Sequence, residues 1–214
     1  MKASTEYRHQ QLLPAFYLQK NVCKIAKELI GKLLISCFDG QLTAGRIVET
    51  EAYNGVVDKA SHAYGGRYTS RTEVMYASGG LAYVYLCYGI HHLFNVVTNV
   101  EGIPHAVLIR GIEPVLGVDI MLDRMRKTKM DHAVGRGPGN VSKALGIQVI
   151  HSGTDLCSDS IFIVDDAFRV KNSSIIATPR IGVDYAEEDA LLPYRFIIKD
   201  HPHVTKHPNN KKTN

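Results

Sequence analysis

Residues 46–53 read RIVETEAY, and three of them could do chemistry. Side chains of an extended chain alternate between faces, so Glu49, Glu51 and Tyr53 share one face. Two carboxylates and a phenol make poor core material. One reading is a polar strand face in solvent. The sharper reading is a general base beside an aromatic wall. His62 follows in DKASHAYGG, a loop of small residues where a lone histidine is usually just exposed. Glu49, Glu51, Asp58 and His62 could also hold a divalent metal, but they lack a compact ligand motif such as HExxH, and no metal site is expected.

A second stretch, residues 81–97, reads LAYVYLCYGIHHLFNVV. Tyr83 and Tyr85 share a face, and Val84 and Leu86 lie on the other. Gly89 turns the chain, which leaves Tyr88 at an exposed bend. Tyrosine is a good strand former, and one or two would need no explanation. A tyrosine at a turn tip beside a tyrosine pair suits stacking on a nucleobase or wedging into a base stack. A third stretch, GRGPGNVSK, fails the GxxxxGK[ST] spacing of a P-loop. It survives as a glycine loop opening a short helix, whose free N–H groups could meet a phosphate. An ordinary tight turn explains it equally well. No cofactor is expected.

The elements that position these residues follow from pattern. Asn21 caps a helix whose apolar face is Val22, Ile25, Ala26, Leu29 and Ile30, and Gly31 ends it. Lys32 to Phe38 and Gln41 to Tyr53 are strands joined by an Asp39-Gly40 hairpin turn. Leu81 to Cys87, Phe94 to Thr98, Ala106 to Arg110, Ile161 to Val164 and Tyr194 to Lys199 are further strands. Gly117 to Met130 and Asn140 to Leu145 are helices. Many strands with few helices give an α+β fold, a curved and mainly antiparallel sheet with peripheral helices.

The whole chain sets bounds. Its 214 residues suit one domain, placed at residues 1–204, with a polar tail at 205–214. From His201 onward, HPHVTKHPNNKKTN reads as largely disordered. His201, His203 and His207 there could bind a metal only adventitiously. Four scattered cysteines without a CxxC spacing argue against a disulfide scaffold or zinc site and fit a reducing compartment. The N-terminus lacks a signal peptide's apolar core, and no stretch is long and apolar enough to span a membrane. An intracellular, soluble monomer is expected, in the cytoplasm or nucleoid, or in a nucleus. The net charge of +4 is weak evidence for a nucleic-acid partner. Arg124, Arg126, Lys127, Lys129, Arg136 and Lys143 lie near the glycine loop, either as a solvated face or as a phosphate-binding patch.

Taken in order, RIVETEAY, His62, GGRYTSR, LAYVYLCYGIHHLFNVV, AVLIRGIEP, GRGPGNVSKALGI and PRIGVDY resemble the alkyladenine (3-methyladenine) DNA glycosylases of the methylpurine type. The resemblance runs from about Phe16 to Val204 and is most specific between Gly45 and Leu145. It implies a single α+β domain that flips a damaged purine out of duplex DNA and hydrolyses its N-glycosidic bond, leaving an abasic site. It implies that Glu51 is the base for the attacking water, with Arg110 helping to hold it. Tyr53, His62 and Tyr85 would sandwich the base, Tyr88 would fill the gap in the stack, and Asn95 would gate against the 2-amino group of guanine. Arg67, Arg71, Arg136, Gly139, Ser142 and Lys143 would meet the DNA backbone. Thr72, Ile90 and Asn140 depart from the family's usual residues, none at the proposed chemistry.

The chemistry suits these residues. Breaking a purine N-glycosidic bond builds positive charge on the sugar, which one carboxylate can stabilise while activating water. Electron-rich rings attract a cationic base by about 0.5–2 kcal/mol. Flipping costs a few kcal/mol, less for a damaged pair. Two rival classes use the same residues: a non-catalytic nucleic-acid-binding module built on the tyrosines, and a metal-dependent nuclease built on Glu49, Glu51 and His62.

Overall fold

A computed structural model describes residues 7–206. A one-turn helix, α1 (Pro14–Tyr17), precedes α2 (Val22–Leu29). Asn21 caps α2, its Oδ1 accepting the Lys24 N–H at 3.0 Å. Val22, Ile25, Ala26 and Leu29 are the buried stripe of α2, as a period of 3.6 requires. Strands β1 (Leu33–Phe38) and β2 (Gln41–Tyr53) form the expected hairpin, with Phe38 opposite Gln41. Asp39 and Gly40 both take positive φ, 50° and 77°, which a two-residue turn between twisted strands demands.

Six more strands complete one antiparallel sheet: β3 (Ala82–Cys87), β4 (His91–Thr98), β5 (His105–Leu116), β6 (Ile161–Val164), β7 (Ile175–Thr178) and β8 (Arg195–Ile198). The order is β3-β4-β5-β2-β1-β6, with β8 pairing with both β2 and β7. The α+β architecture with peripheral helices is thus as the pattern implies. β4 and β5 run longer than their apolar cores suggest, and β7 carries no alternation strong enough to be read.

The helix read over Gly117–Met130 is shorter, α3 (Val118–Met125). Arg126 adopts a left-handed conformation, φ 56°. The Arg126 N–H then bonds the Asp123 carbonyl at 3.0 Å and the Lys127 N–H bonds the Leu122 carbonyl at 2.9 Å, closing the helix. The last helix, α4 (Pro138–Leu145), begins with Pro138 at its first position, where a missing N–H costs nothing.

The period of two sorts the sheet into two faces. Ile47 and Ala52 of β2, Val84 of β3, Phe94 and Val96 of β4, and Val107 and Ile109 of β5 join Ile25, Leu29, Val141 and Leu145 of the helices in the main core. The alternate residues point to the opposite face: Glu49, Glu51 and Tyr53, then Tyr83 and Tyr85, Asn95, and Leu108 and Arg110. Two bulges tune that face. Ile47 opposes Ile112, Glu49 opposes Gly111 and Thr50 opposes Ile109. Val48 and Arg110 are therefore each left without a partner across the β2–β5 ladder. Bulges bend a strand and re-aim its side chains. Here they bring Arg110 between the two glutamates. Gly111 makes room, since a Cβ there would lie 2.9 Å from the His203 carbonyl oxygen and 3.0 Å from Glu49 Cβ.

The reading of a disordered tail is corrected for residues 201–206. His203 is buried, and the Thr205 N–H donates to Glu49 Oε2 at 2.8 Å. A buried carboxylate needs donors, and the segment supplies one. Residues 207–214, with His207, lie outside the described residues. Among the described residues no helix is long and apolar enough to cross a membrane.

Candidate active site

The sheet face that carries Tyr53, Tyr85 and Asn95, together with the start of α4, bounds a cavity of about 560 Å³. Tyr53, His62, Tyr85, Asn95, Arg110 and Ile181 are among its lining residues, and Tyr88 stands at its edge. Strands supply the floor. The segments after β2 and after β7 supply the walls, tied together by Arg180 and Asp58. This buried pair is bidentate, at 2.6 and 2.8 Å, and Arg180 also donates to the Ala52 carbonyl at 2.9 Å.

Glu49 and Glu51 are both fully buried, so the polar-face-in-solvent reading of this strand is corrected. Burial of two carboxylates requires cationic and N–H partners, and the fold provides them. Glu51 Oε1 accepts the Ile181 N–H at 2.8 Å. Glu51 Oε2 accepts the Tyr53 hydroxyl at 2.9 Å and, at 3.4 Å, an Arg110 Nη1 hydrogen. Glu49 Oε1 accepts from Arg110 Nε at 3.0 Å and Arg195 Nε at 2.7 Å. Glu51 thus lies just behind the cavity wall, covered by Tyr53, Ile181 and Arg110, which themselves line it. Burial works against the charge of Arg110, yet Glu51 and Glu49 hold its pKa above the ordinary value. Burial, then the neighbouring Glu51, pushes the Tyr53 phenol up, so it stays protonated and donating.

The aromatic wall is His62, Tyr83 and Tyr85. The His62 ring meets Tyr85 edge-on, with centroids 4.6 Å apart, and Tyr83 and Tyr85 are 5.4 Å apart. Arg71 Nη2 lies 3.3 Å from His62 Nε2. A guanidinium can only donate, so Nε2 accepts and the Nδ1 proton faces the Tyr83 hydroxyl oxygen at 2.8 Å. Burial first, then Arg71 and Arg67, lowers the His62 pKa to about 4. The imidazole is therefore neutral at physiological pH. Tyr83, nearly buried, supports His62.

Asn95, also buried, donates through Nδ2 to the Tyr83 carbonyl at 3.0 Å and the Leu93 carbonyl at 3.2 Å. Its amide orientation is fixed by these two acceptors, and the residue still lines the cavity. Tyr88 is 90% exposed at the β3–β4 tip, with φ 51°, and Ile90 beside it is 71% exposed. A large ring held out in water by a strained backbone is the opposite of a core residue.

The residues expected at the DNA backbone divide. Arg67 and Lys143 are exposed, and Arg136 is partly so. Gly139 lets α4 approach β4, since a Cβ there would lie 3.0 Å from His91 Nδ1. Ser142 does not belong to this surface: it is fully buried and its hydroxyl has no partner, because it falls on the inward face of α4. Arg71 is exposed as well, with its guanidinium carbon laid 4.8 Å from the Tyr85 ring centroid at the cavity wall. Arg124 is turned inward to the Thr43 hydroxyl and the Ala144 carbonyl, both at 3.1 Å. Lys127 pairs with Asp131. Among the departures, the Thr72 hydroxyl accepts the Thr69 N–H at 2.9 Å and Asn140 donates to the Arg136 carbonyl at 3.0 Å.

Among the described residues no group of three or more His, Cys, Asp or Glu could hold a metal ion. Glu49, Glu51 and Asp58 are instead matched to Arg110, Arg195 and Arg180. Arg195 was not singled out in the sequence, and nothing local marks it, 146 residues from Glu49. Arg180, Ile181 and Tyr185 sit in PRIGVDY, the one signal that pointed there.

The cavity has aromatic walls wide enough for a flat ring, with Arg110 in its lining and the Glu51 carboxylate just behind it. The family model for methylpurine-DNA glycosylase matches residues 15–202, and the chain belongs to that family. It is 47% identical over 189 residues to a Chlamydia felis protein named "Putative 3-methyladenine DNA glycosylase", covering 87% of this chain and 96% of the relative. A Bacillus thuringiensis protein of the same name is 46% identical over 204 residues, covering 92% and 99%.

Proposed function

We propose that the protein is a monofunctional DNA glycosylase that flips alkylated or deaminated purines from duplex DNA and releases them by hydrolysis. The observation that carries this reading is the placement of a flat-ring pocket directly against a buried Glu51–Arg110 pair. Supporting it are the exposed Tyr88 at the pocket edge and family membership.

The base would lie between Tyr53 and the His62–Tyr85 wall. The Arg110 contacts to Glu51 at 3.4 Å are long for charge-assisted bonds, and a water entering there would reach the carboxylate. The C1′–N9 bond breaks with its electron pair passing to the purine. The water oxygen bonds to C1′, and its proton passes to Glu51. A neutral base takes its proton from solvent, and a cationic base leaves neutral. Glu51 also offsets the positive charge that grows on the sugar. No lysine is needed, so the product is an abasic site and not a nick. Tyr88 would fill the vacated stack. Asn95 would exclude guanine by lack of room. Its Oδ1 could accept from a 2-amino group, so a rigid amide, held by two carbonyls, must act by size.

The test is incubation with hypoxanthine-containing and methylated duplex DNA, with chelator present, scoring free base, abasic sites and nicks. Free base without nicks is expected. Glu51→Gln should slow release by about 10²–10⁴-fold while retaining lesion binding. Nicking that stops with chelator would move the protein to the nuclease class, and binding without any product would leave a non-catalytic reader of DNA.

A further inference from the structure

The cavity's charges do not balance. Two arginines line it, Arg71 and Arg110, and two more stand behind its walls, Arg180 and Arg195. Arg110 and Arg195 are matched by Glu49 and Glu51, and Arg180 by Asp58. No carboxylate pairs with Arg71 among the described residues. Its guanidinium is spent on the pocket wall, against the Tyr85 ring and His62 Nε2. The opposite wall is backed in the same way, with Arg180 4.9 Å from the Tyr53 ring centroid.

We infer that Arg71 sets the charge preference of the base pocket, disfavouring cationic purines and favouring neutral ones of the same shape. The inference rests on the glycosylase reading of this site. An electron-rich ring attracts a cation through its negative face. Tyr85 already holds one cation, so a second gains less from the same π system. The direct repulsion adds to this. A purine stacked across the ring would lie about 8 Å from the guanidinium. Arg71 is exposed, so between an effective dielectric of about 80 and one of about 20, two like charges at that separation differ from a neutral pair by roughly 2- to 30-fold in an equilibrium constant, and salt lowers this further. The neutral His62 adds no charge of either sign. The same guanidinium would favour departure of a neutral purine, whose N9 receives an electron pair as the bond breaks. The simple expectation that a tyrosine-lined pocket selects cationic alkylpurines is therefore offset by one residue.

Arg71→Gln keeps a donor for His62 Nε2 and removes the charge, while Arg71→Lys keeps the charge. Single-turnover base release is measured on duplex hypoxanthine, which is neutral, and on 3-methyladenine in methylated DNA, which is cationic and also lacks a 2-amino group. Arg71→Gln should raise the ratio of cationic to neutral rates about threefold or more. Arg71→Lys should leave that ratio within about twofold of wild type. Unchanged ratios in both variants, or equal losses on both substrates together with a shallower salt dependence, would overturn the inference and return Arg71 to a phosphate contact. A wild type that releases neither base would defeat the glycosylase reading instead. Binding of inosine against 7-methylinosine, in mildly acidic buffer where its N1 proton is retained and it is cationic, to wild type and Arg71→Gln then decides the charge question alone. A shift of the binding ratio toward the cation in the variant supports the inference, and an unshifted ratio overturns it.

Discussion

Glu49→Gln should destabilise the fold more than it perturbs any surface, because Glu49 anchors three separate segments. Its Oε1 receives Arg110 Nε and Arg195 Nε, and its Oε2 receives the Thr205 N–H. The substitution is nearly isosteric, so packing is preserved and the loss is electrostatic. If the amide oxygen stays with the two arginines, the new NH₂ faces the Thr205 N–H, donor against donor. A buried donor without an acceptor costs about 1–3 kcal/mol. Two guanidinium groups also exchange an ionised acceptor for a neutral one, which about halves those bonds. Together these give about 3 kcal/mol, near the lower end of the roughly 3–5 kcal/mol for breaking a buried ion pair.

For a chain of this size that corresponds to a fall in Tm of about 6–12 °C. With a urea m-value of about 2 kcal/mol/M, the midpoint should fall by about 1.5 M. Urea titration followed by circular dichroism measures it. Removing Arg195 alone strands less negative charge, since Arg110 still serves Glu49. The Glu49→Gln/Arg195→Gln double variant should therefore lose less than the sum of the two single losses. A Glu49→Gln midpoint within about 0.2 M of wild type would refute the network account, as would strict additivity of the pair.

Three further outcomes follow from the site. Tyr88→Ala should lower base release at least about tenfold more on intact duplex than on a lesion opposite a gap, where no stack needs filling. Equal losses, or a lowered Tm, would return Tyr88 to a structural role. Asn95→Ser should raise excision of guanine or alkylguanine relative to hypoxanthine. A lowered stability with an unchanged ratio would leave only the backbone bonds that Asn95 makes. His62 has a folded pKa of about 4 against an ordinary 6.5, so the unfolded chain takes up a proton that the fold refuses. Its contribution makes stability fall as pH drops from about 6.5 to about 4, and no further below. A histidine-detected NMR titration should place His62 near 4, and a midpoint above 6 would show that the imidazole is not shielded as the structure has it.

What the sequence made legible is what is local. Asn21 capping α2, the Asp39-Gly40 turn and the alternation of β2 each depend on neighbours a few residues away. The shared face of Glu49, Glu51 and Tyr53 followed from that alternation alone. What stayed hidden is set by distant pairing. The burial of that face could not be read, because its cover comes from Arg195, Ile181 and Thr205, more than a hundred residues downstream. The bulges at Val48 and Arg110 leave no compositional mark, although they decide which side chains meet. Arg71 lies in a polar loop that reads as a phosphate contact, and only the fold lays it on Tyr85.

The same contrast explains how the site is built. A carboxylate general base needs to be ionised and held still, but two buried glutamates beside one another would repel. The fold resolves this by pushing Arg110 out of the ladder at a bulge, between Glu49 and Glu51. Arg195 and the backbone of residues 201–206 then take up the remaining valence of Glu49. Glu51 is left as the carboxylate whose charged partner is held only at 3.4 Å, and it is the one beside the aromatic cavity. Two residues of identical chemistry, two positions apart, thus have different partners. Glu49 is saturated by tight donors and serves the fold, while Glu51, also held by the Ile181 N–H and the Tyr53 hydroxyl, has only its long Arg110 contacts to yield to a water, as the proposed activation of water requires.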